Sequence, residues 1–130
     1  MTRSKSYSRN KGHNCERDFA KKFRDLGFEF CKTSRQASRL LDDSGIDLSG
    51  IPLNVQIKSG YKKARPKADE LFKGMKEVLS KNFPPGDGIH KYPKVLIHKL
   101  DGMAQENQLV TMTWEDWVEF LKAYKQVKNL

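Results

Sequence analysis

The sequence predicts an α/β fold in which a mixed β-sheet is flanked by α-helices. Three observations carry this expectation. Apolar residues recur at helical spacing in three segments, shorter apolar or alternating runs lie between those segments, and 130 residues suffice for one compact core but not for two. Residues 1–12 read as a basic N-terminal arm and residues 13–130 as a single domain.

The elements follow in chain order. Cys15, Phe19, Ala20, Phe23 and Leu26 repeat at helical spacing, with Gly27 as a stop signal, so a helix of about three turns is expected. Phe28 to Thr33 alternates apolar and polar residues like a half-buried strand, and Ser34 to Ser44 reads as a long polar loop. Ile46 to Ser49 and Leu53 to Lys58 read as a hairpin turning around Gly50, Ile51 and Pro52. Ala68, Leu71, Phe72, Met75, Val78 and Leu79 lay out a second helix, ended by Pro84, Pro85 and Gly86. Val95 to Leu100 and Leu109 to Met112 read as two strands that pair. Thr113 with Asp116 three residues on marks the start of a last helix, whose Trp114, Trp117, Val118, Leu121 and Tyr124 form an apolar face suited to packing in the core.

Charge narrows the class of partner. Lys plus Arg total 25 against 16 Asp plus Glu, and the resulting +9 favours a polyanion. The excess is clustered. Arg3, Lys5, Arg9 and Lys11 precede the first acid, Glu16, and Lys58, Lys62, Lys63, Arg65 and Lys67 lie in a stretch without acids. No apolar run approaches a spanning helix and nothing resembles a signal peptide, so no membrane partner and an intracellular, cytoplasmic location are expected. Cys15, Cys31 and the three scattered histidines show no zinc or redox spacing, and the cysteines read as reduced core residues.

The chemistry is concentrated in Gly45-Ile46-Asp47, then, after eight residues, Gln56-Ile57-Lys58-Ser59. Alternation along a strand sends Gln56 and Lys58 to one face and Val55 and Ile57 to the other. In the predicted hairpin Asp47 lies opposite Gln56 or Lys58. Either register places it on their face, with Ile46 and Leu48 turned to the side of Val55 and Ile57. A carboxylate there suits a hard cation such as Mg²⁺, with the Gln56 amide and the Ile57 carbonyl as neutral oxygen donors and Lys58 orienting or helping to deprotonate water. Such a site hydrolyses phosphodiesters. A second carboxylate is needed. Glu16 is the best placed, beside the stripe of Phe19, Ala20 and Phe23; otherwise it only complements the positive end of its helix, and Asp42 and Asp43 are its rivals.

These residues resemble the PD-(D/E)xK nuclease superfamily, and within it the small Holliday-junction resolvases of archaea and phages. Glu16 matches the acid of the N-terminal helix, Asp47 the hairpin Asp, Gln56 the Glu or Gln, and Lys58 the lysine. The match spans residues 9 to 60 by motif, with Gln56 in place of the more usual Glu and Ile46 in place of Pro. The resemblance implies a restriction-endonuclease-like fold and an endonuclease dependent on Mg²⁺ or Mn²⁺. It further implies a homodimer cutting branched, four-way DNA, in the host cytoplasm if phage-encoded. It also implies a serine after the first strand, matched by Ser34 or Ser38. Contacts to DNA are assigned to Arg9, Lys11, Ser34, Arg35, Arg39, Lys62, Lys63 and Arg65, whose ionic bonds to phosphate carry no sequence information. The alternatives are a restriction-like, nicking or repair nuclease on the same scaffold, or a non-catalytic basic DNA-binding accessory protein.

Overall fold

A computed structural model describes residues 5–60 and 65–130. The first described element is α1 (Lys5–Asp25), which begins well before Cys15, so residues 5–12 are helical and continuous with it. Cys15, Phe19 and Ala20 are its buried stripe. It ends where Gly27 takes a positive φ of 106°, a conformation that costs glycine nothing.

The expected strand over Phe28 to Thr33 shrinks to β1 (Lys32–Thr33). The amides of Phe28 and Cys31 are spent on local turns, to Phe23 O and Phe28 O, and Phe30 is 72% exposed. The stretch expected to be a polar loop holds two short helices, α2 (Ser34–Ala37) and α3 (Arg39–Asp43). Ser38 starts the second by accepting the Leu41 amide, the capping use that favours serine at such junctions.

The expected hairpin is not the pairing that forms. Strand β2 (Leu48–Ser49) runs antiparallel to β1, Thr33 opposite Leu48, while β3 (Asn54–Ser59) lies parallel to β4 (Lys94–Lys99), Val55 opposite Val95 and Lys58 opposite His98. The helix α4 (Ala68–Asn82) makes the crossover that a parallel pair requires. Strand β5 (Leu109–Thr111) pairs antiparallel with β4 as anticipated, Ile97 opposite Val110, which completes a mixed sheet of order β3-β4-β5. At Gly50 a Cβ would lie 2.1 Å from the Phe30 carbonyl oxygen, so only glycine lets the β2–β3 connection pass this close to the β1 approach.

Alternation of β3 then distributes the core. Val55 and Ile57 pack with Cys15, Phe19, Ala20 and Leu48 on the α1 side, and Met75 and Leu79 of α4 pack with Ile46 and Ile89. Ile46 and Leu48 therefore belong to different clusters, where the sequence suggested one.

The last helix, α5 (Trp114–Lys128), starts as expected, with Thr113 accepting the Asp116 amide. Its apolar face is only partly covered, with Trp117 and Leu121 a little under half exposed and Val118 half-buried. No residue of α5 is buried, and Trp114, at its start, is 75% exposed. Sequence periodicity reveals that a helix has an apolar face, not whether the fold supplies something to cover it. Among the described residues no helix is long and apolar enough to cross a membrane.

Candidate functional site

In a strand, the N–H and C=O of one residue point to the same edge. Asn54 and Gly60 donate toward β4 or the segment leading into it, to Pro93 O and Lys99 O, so the odd residues Val55 and Ile57 present their polar groups to the opposite edge of β3. Asp47 is what meets them there. Its amide donates to Val55 O at 2.7 Å, and its carboxylate Oδ2 accepts the Ile57 amide at 2.6 Å. The carboxylate thus stands where a neighbouring strand would have supplied a carbonyl, which is why the hairpin ladder stops.

Asp47 is consequently at the strand edge, between the two faces, and not on the Gln56 and Lys58 face as the hairpin registers implied. Burial, opposed by the Ile57 hydrogen bond, pushes its carboxyl up to about 7; Glu16 and, more weakly, Asp42 raise it, while the Lys58 ammonium lowers it. Glu16 and Lys58 therefore both act on Asp47 across space, and Glu16 acts more strongly than its rival Asp42. The other rival, Asp43, sits with Arg39 in an exposed pair at 3.7 Å.

Glu16 is nearly covered, at 12% side-chain exposure, and faces Arg35 of α2 at 3.3 Å. Arg35 thus spends its guanidinium on the candidate acid instead of presenting it free to a phosphate. Gln56 departs furthest from expectation. Its amide nitrogen lies 3.6 Å from where a Cβ on Gly45 would be, and it lines a cleft with Asp43, Glu70 and Met75 on the α4 side. Ile57 keeps its carbonyl on the same edge as the amide held by Asp47.

Of the residues assigned to DNA, Ser34 is completely buried; its amide donates to Asp47 O at 2.8 Å, and its hydroxyl has no hydrogen-bond partner among the described residues. It supports the Asp47 segment and does not face solvent. Ser38 is occupied as a cap. Lys11 is paired with Asp101 at 3.0 Å and approaches Gly60 at the end of β3. Arg65 is exposed; burial and, after it, the Arg65 charge lower the pKa of His98, which lies opposite Lys58. Lys11, Lys58, Arg65 and Lys99 thus rim the carboxyl ends of β3 and β4. The side chain of Arg9 and the whole of Lys62 and Lys63 lie outside the described residues.

Sequence reasoning missed three partners: the Ile57 amide, Arg35 and Asp101. Asp101 is 90 positions from Lys11, so no local signal could have linked them. Cys15 and Cys31 are buried free thiols, both raised in pKa by burial. Among the described residues no three His, Cys, Asp or Glu side chains gather as a metal-binding group. The chain has no significant match to a protein-family model, to a curated protein or to a solved structure.

Proposed function

We propose that the protein is a divalent-metal-dependent DNA endonuclease with a restriction-endonuclease-like scaffold, centred on Asp47, Glu16 and Lys58, and that its substrate is branched DNA. The observation that carries the reading is a carboxylate pinned by a strand amide in a half-buried position, with a second carboxylate raising its proton affinity further. Two like charges kept together at such a place want a cation.

The donors suit Mg²⁺ or Mn²⁺. Mg²⁺ retains several waters and uses one or two carboxylates together with substrate phosphates, so Asp47 and Glu16 with the Ile57 carbonyl meet its needs without a third acid. Gln56, directed to the Gly45 side, is the weakest member of the set. The ion, when bound, supplies Lewis-acid polarisation of a phosphodiester and acidifies water. The Ile57 amide fixes the orientation of the Asp47 carboxylate beforehand. The Lys58 ammonium, whose charge reaches that carboxylate, can stabilise charge developing on a phosphate or exchange a proton with the attacking water. Lys11, Arg65 and Lys99 offer positive charge along the rim where flanking phosphates would lie. The preference for branched DNA rests on the motif resemblance alone.

The test is cleavage of a labelled four-way junction with and without Mg²⁺, by wild type and by Asp47→Asn. Metal-dependent cutting that Asp47→Asn abolishes is the expected result, and undiminished cutting by that variant refutes the assignment. Equal or better cutting of plain duplex would move the substrate to the restriction-like alternative with the chemistry intact. One observation favours a second reading, a non-catalytic DNA-binding protein: Arg35 already meets the Glu16 charge. Calorimetric Mn²⁺ binding that vanishes in Asp47→Asn would exclude it.

A further inference from the structure

A cleft between α1, the sheet and α5 has no part in the proposed chemistry, which lies at the edge of β3. Its volume is about 490 Å³, within the roughly 300–1,000 Å³ typical of ligand sites. Phe19, Val95 and Ile97 are buried and make its floor, while Val110, Trp117 and Phe120 are exposed and make its outer walls. Among the described residues two polar side chains line it, Lys22 and Gln108. The Gln108 amide is spent on backbone groups of Leu100 and Met103. Lys22 is half-buried, its ammonium 4.5 Å from the centre of the Phe19 ring, and it forms no ion pair among the described residues.

We propose that this cleft binds a monoanionic amphiphile of the fatty-acid type, with its apolar chain between α1 and α5 and its carboxylate on Lys22. Three observations select that chemistry. First, aromatic and aliphatic walls that the fold leaves open to water favour an apolar body. Trp117 and Phe120 belong to a helix that buries none of its side chains, so a molecule filling the cleft supplies packing that the fold does not. Second, an ammonium held over a ring at an apolar wall, with no carboxylate beside it, offers a charge-assisted contact to one anionic group. Third, Lys22 is the only charged side chain among the described residues that line the cleft. A nucleic-acid strand needs a row of cations along its phosphates, so a polyanion is disfavoured there, and a neutral hydrocarbon would leave the ammonium unmatched.

This inference does not rest on the hydrolytic reading. Asp47→Asn should bind the amphiphile as wild type does, so failure of the one leaves the other standing.

Decanoate is the ligand to test, kept below the concentration at which it forms micelles, with decanol as its uncharged counterpart. The chain has two tryptophans, Trp114 and Trp117, and only the second lines the cleft. Fluorescence of full-length Trp114→Phe, in which Trp117 is the sole indole, should therefore respond saturably to decanoate, while that of Trp117→Phe should not. On the Trp114→Phe background, Lys22→Gln should weaken decanoate roughly fivefold, the upper worth of a partly exposed ion pair, and leave decanol unchanged. Lys128→Gln, which removes an equal charge away from the cleft, should weaken neither. A flat Trp117 signal overturns the proposal. So does an equal loss of decanoate affinity in Lys22→Gln and Lys128→Gln, which would mean adsorption of an anion to a cationic chain. Decanoate binding unchanged by Lys22→Gln overturns it too, and is the behaviour of a cleft that takes a neutral apolar group, such as a side chain of another protein.

Discussion

Replacing Asp47 by Asn should stabilise the metal-free protein above pH 7 while removing its activity. A carboxyl moved from 3.8 to about 7 carries, at about 1.4 kcal/mol per tenfold change, a penalty on its ionised form of roughly 4 kcal/mol. Asp47 keeps some exposure, and Asn forgoes a charge-assisted hydrogen bond from the Ile57 amide, so about half of that, ~2 kcal/mol, is the expected net gain. The sign follows from proton counting. Between pH 4 and 7 the folded state holds a proton on Asp47 that the unfolded state has released, so wild-type stability falls as pH rises through that window and levels off above it. Below pH 4 both states are protonated and the penalty is absent. With an unfolding entropy of about 2.1 cal/mol/K per residue over 130 residues, ~2 kcal/mol corresponds to a rise in Tm of about 7 °C at pH 8 and none at pH 4. Thermal unfolding followed by circular dichroism in EDTA at the two pH values measures this. A Tm for Asp47→Asn that is unchanged or lower at pH 8 would refute a strained, half-buried carboxylate.

Other outcomes follow from the same geometry. Asp47→Ala should be less stable than Asp47→Asn by about 1–3 kcal/mol in denaturant titrations, because it leaves the Ile57 amide without an acceptor; equal stability would mean that this hydrogen bond is replaceable. Lys58→Ala should reduce junction cleavage by at least about 100-fold, as loss of a proton-transfer or charge-stabilising group does, and comparable single-turnover rates would remove Lys58 from the site. Arg35→Ala should cost under about 1 kcal/mol of stability, its partner pair being partly exposed, and should tighten calorimetric Mn²⁺ binding by freeing Glu16; weaker binding would show that Arg35 positions that acid. If Lys62 and Lys63 each neutralise one DNA phosphate, replacing both by Ala should lower the slope of log K against log salt by about 2, and an unchanged slope places them off the DNA.

The sequence by itself determined what depends on short-range patterning. The α1 stripe from Cys15 to Phe23, the α4 stripe from Phe72 to Leu79 and the Thr113 cap follow from neighbours within a few residues, and each is present. Residue type and spacing were enough to name Glu16, Asp47 and Lys58 as candidates, and the charges of Glu16 and Lys58 both bear on the Asp47 carboxyl. Tertiary structure decided which strand pairs with which. Once α4 carried β4 into a parallel ladder on one side of β3, its other edge was left to the Asp47 carboxylate, and a side chain took the place of a strand. It also decided that Ser34 is enclosed, that Arg35 answers Glu16, and that α5 projects its aromatic face outward. Periodicity states which residues want to leave water. Only the packing of distant segments decides whether this chain has a surface to receive them.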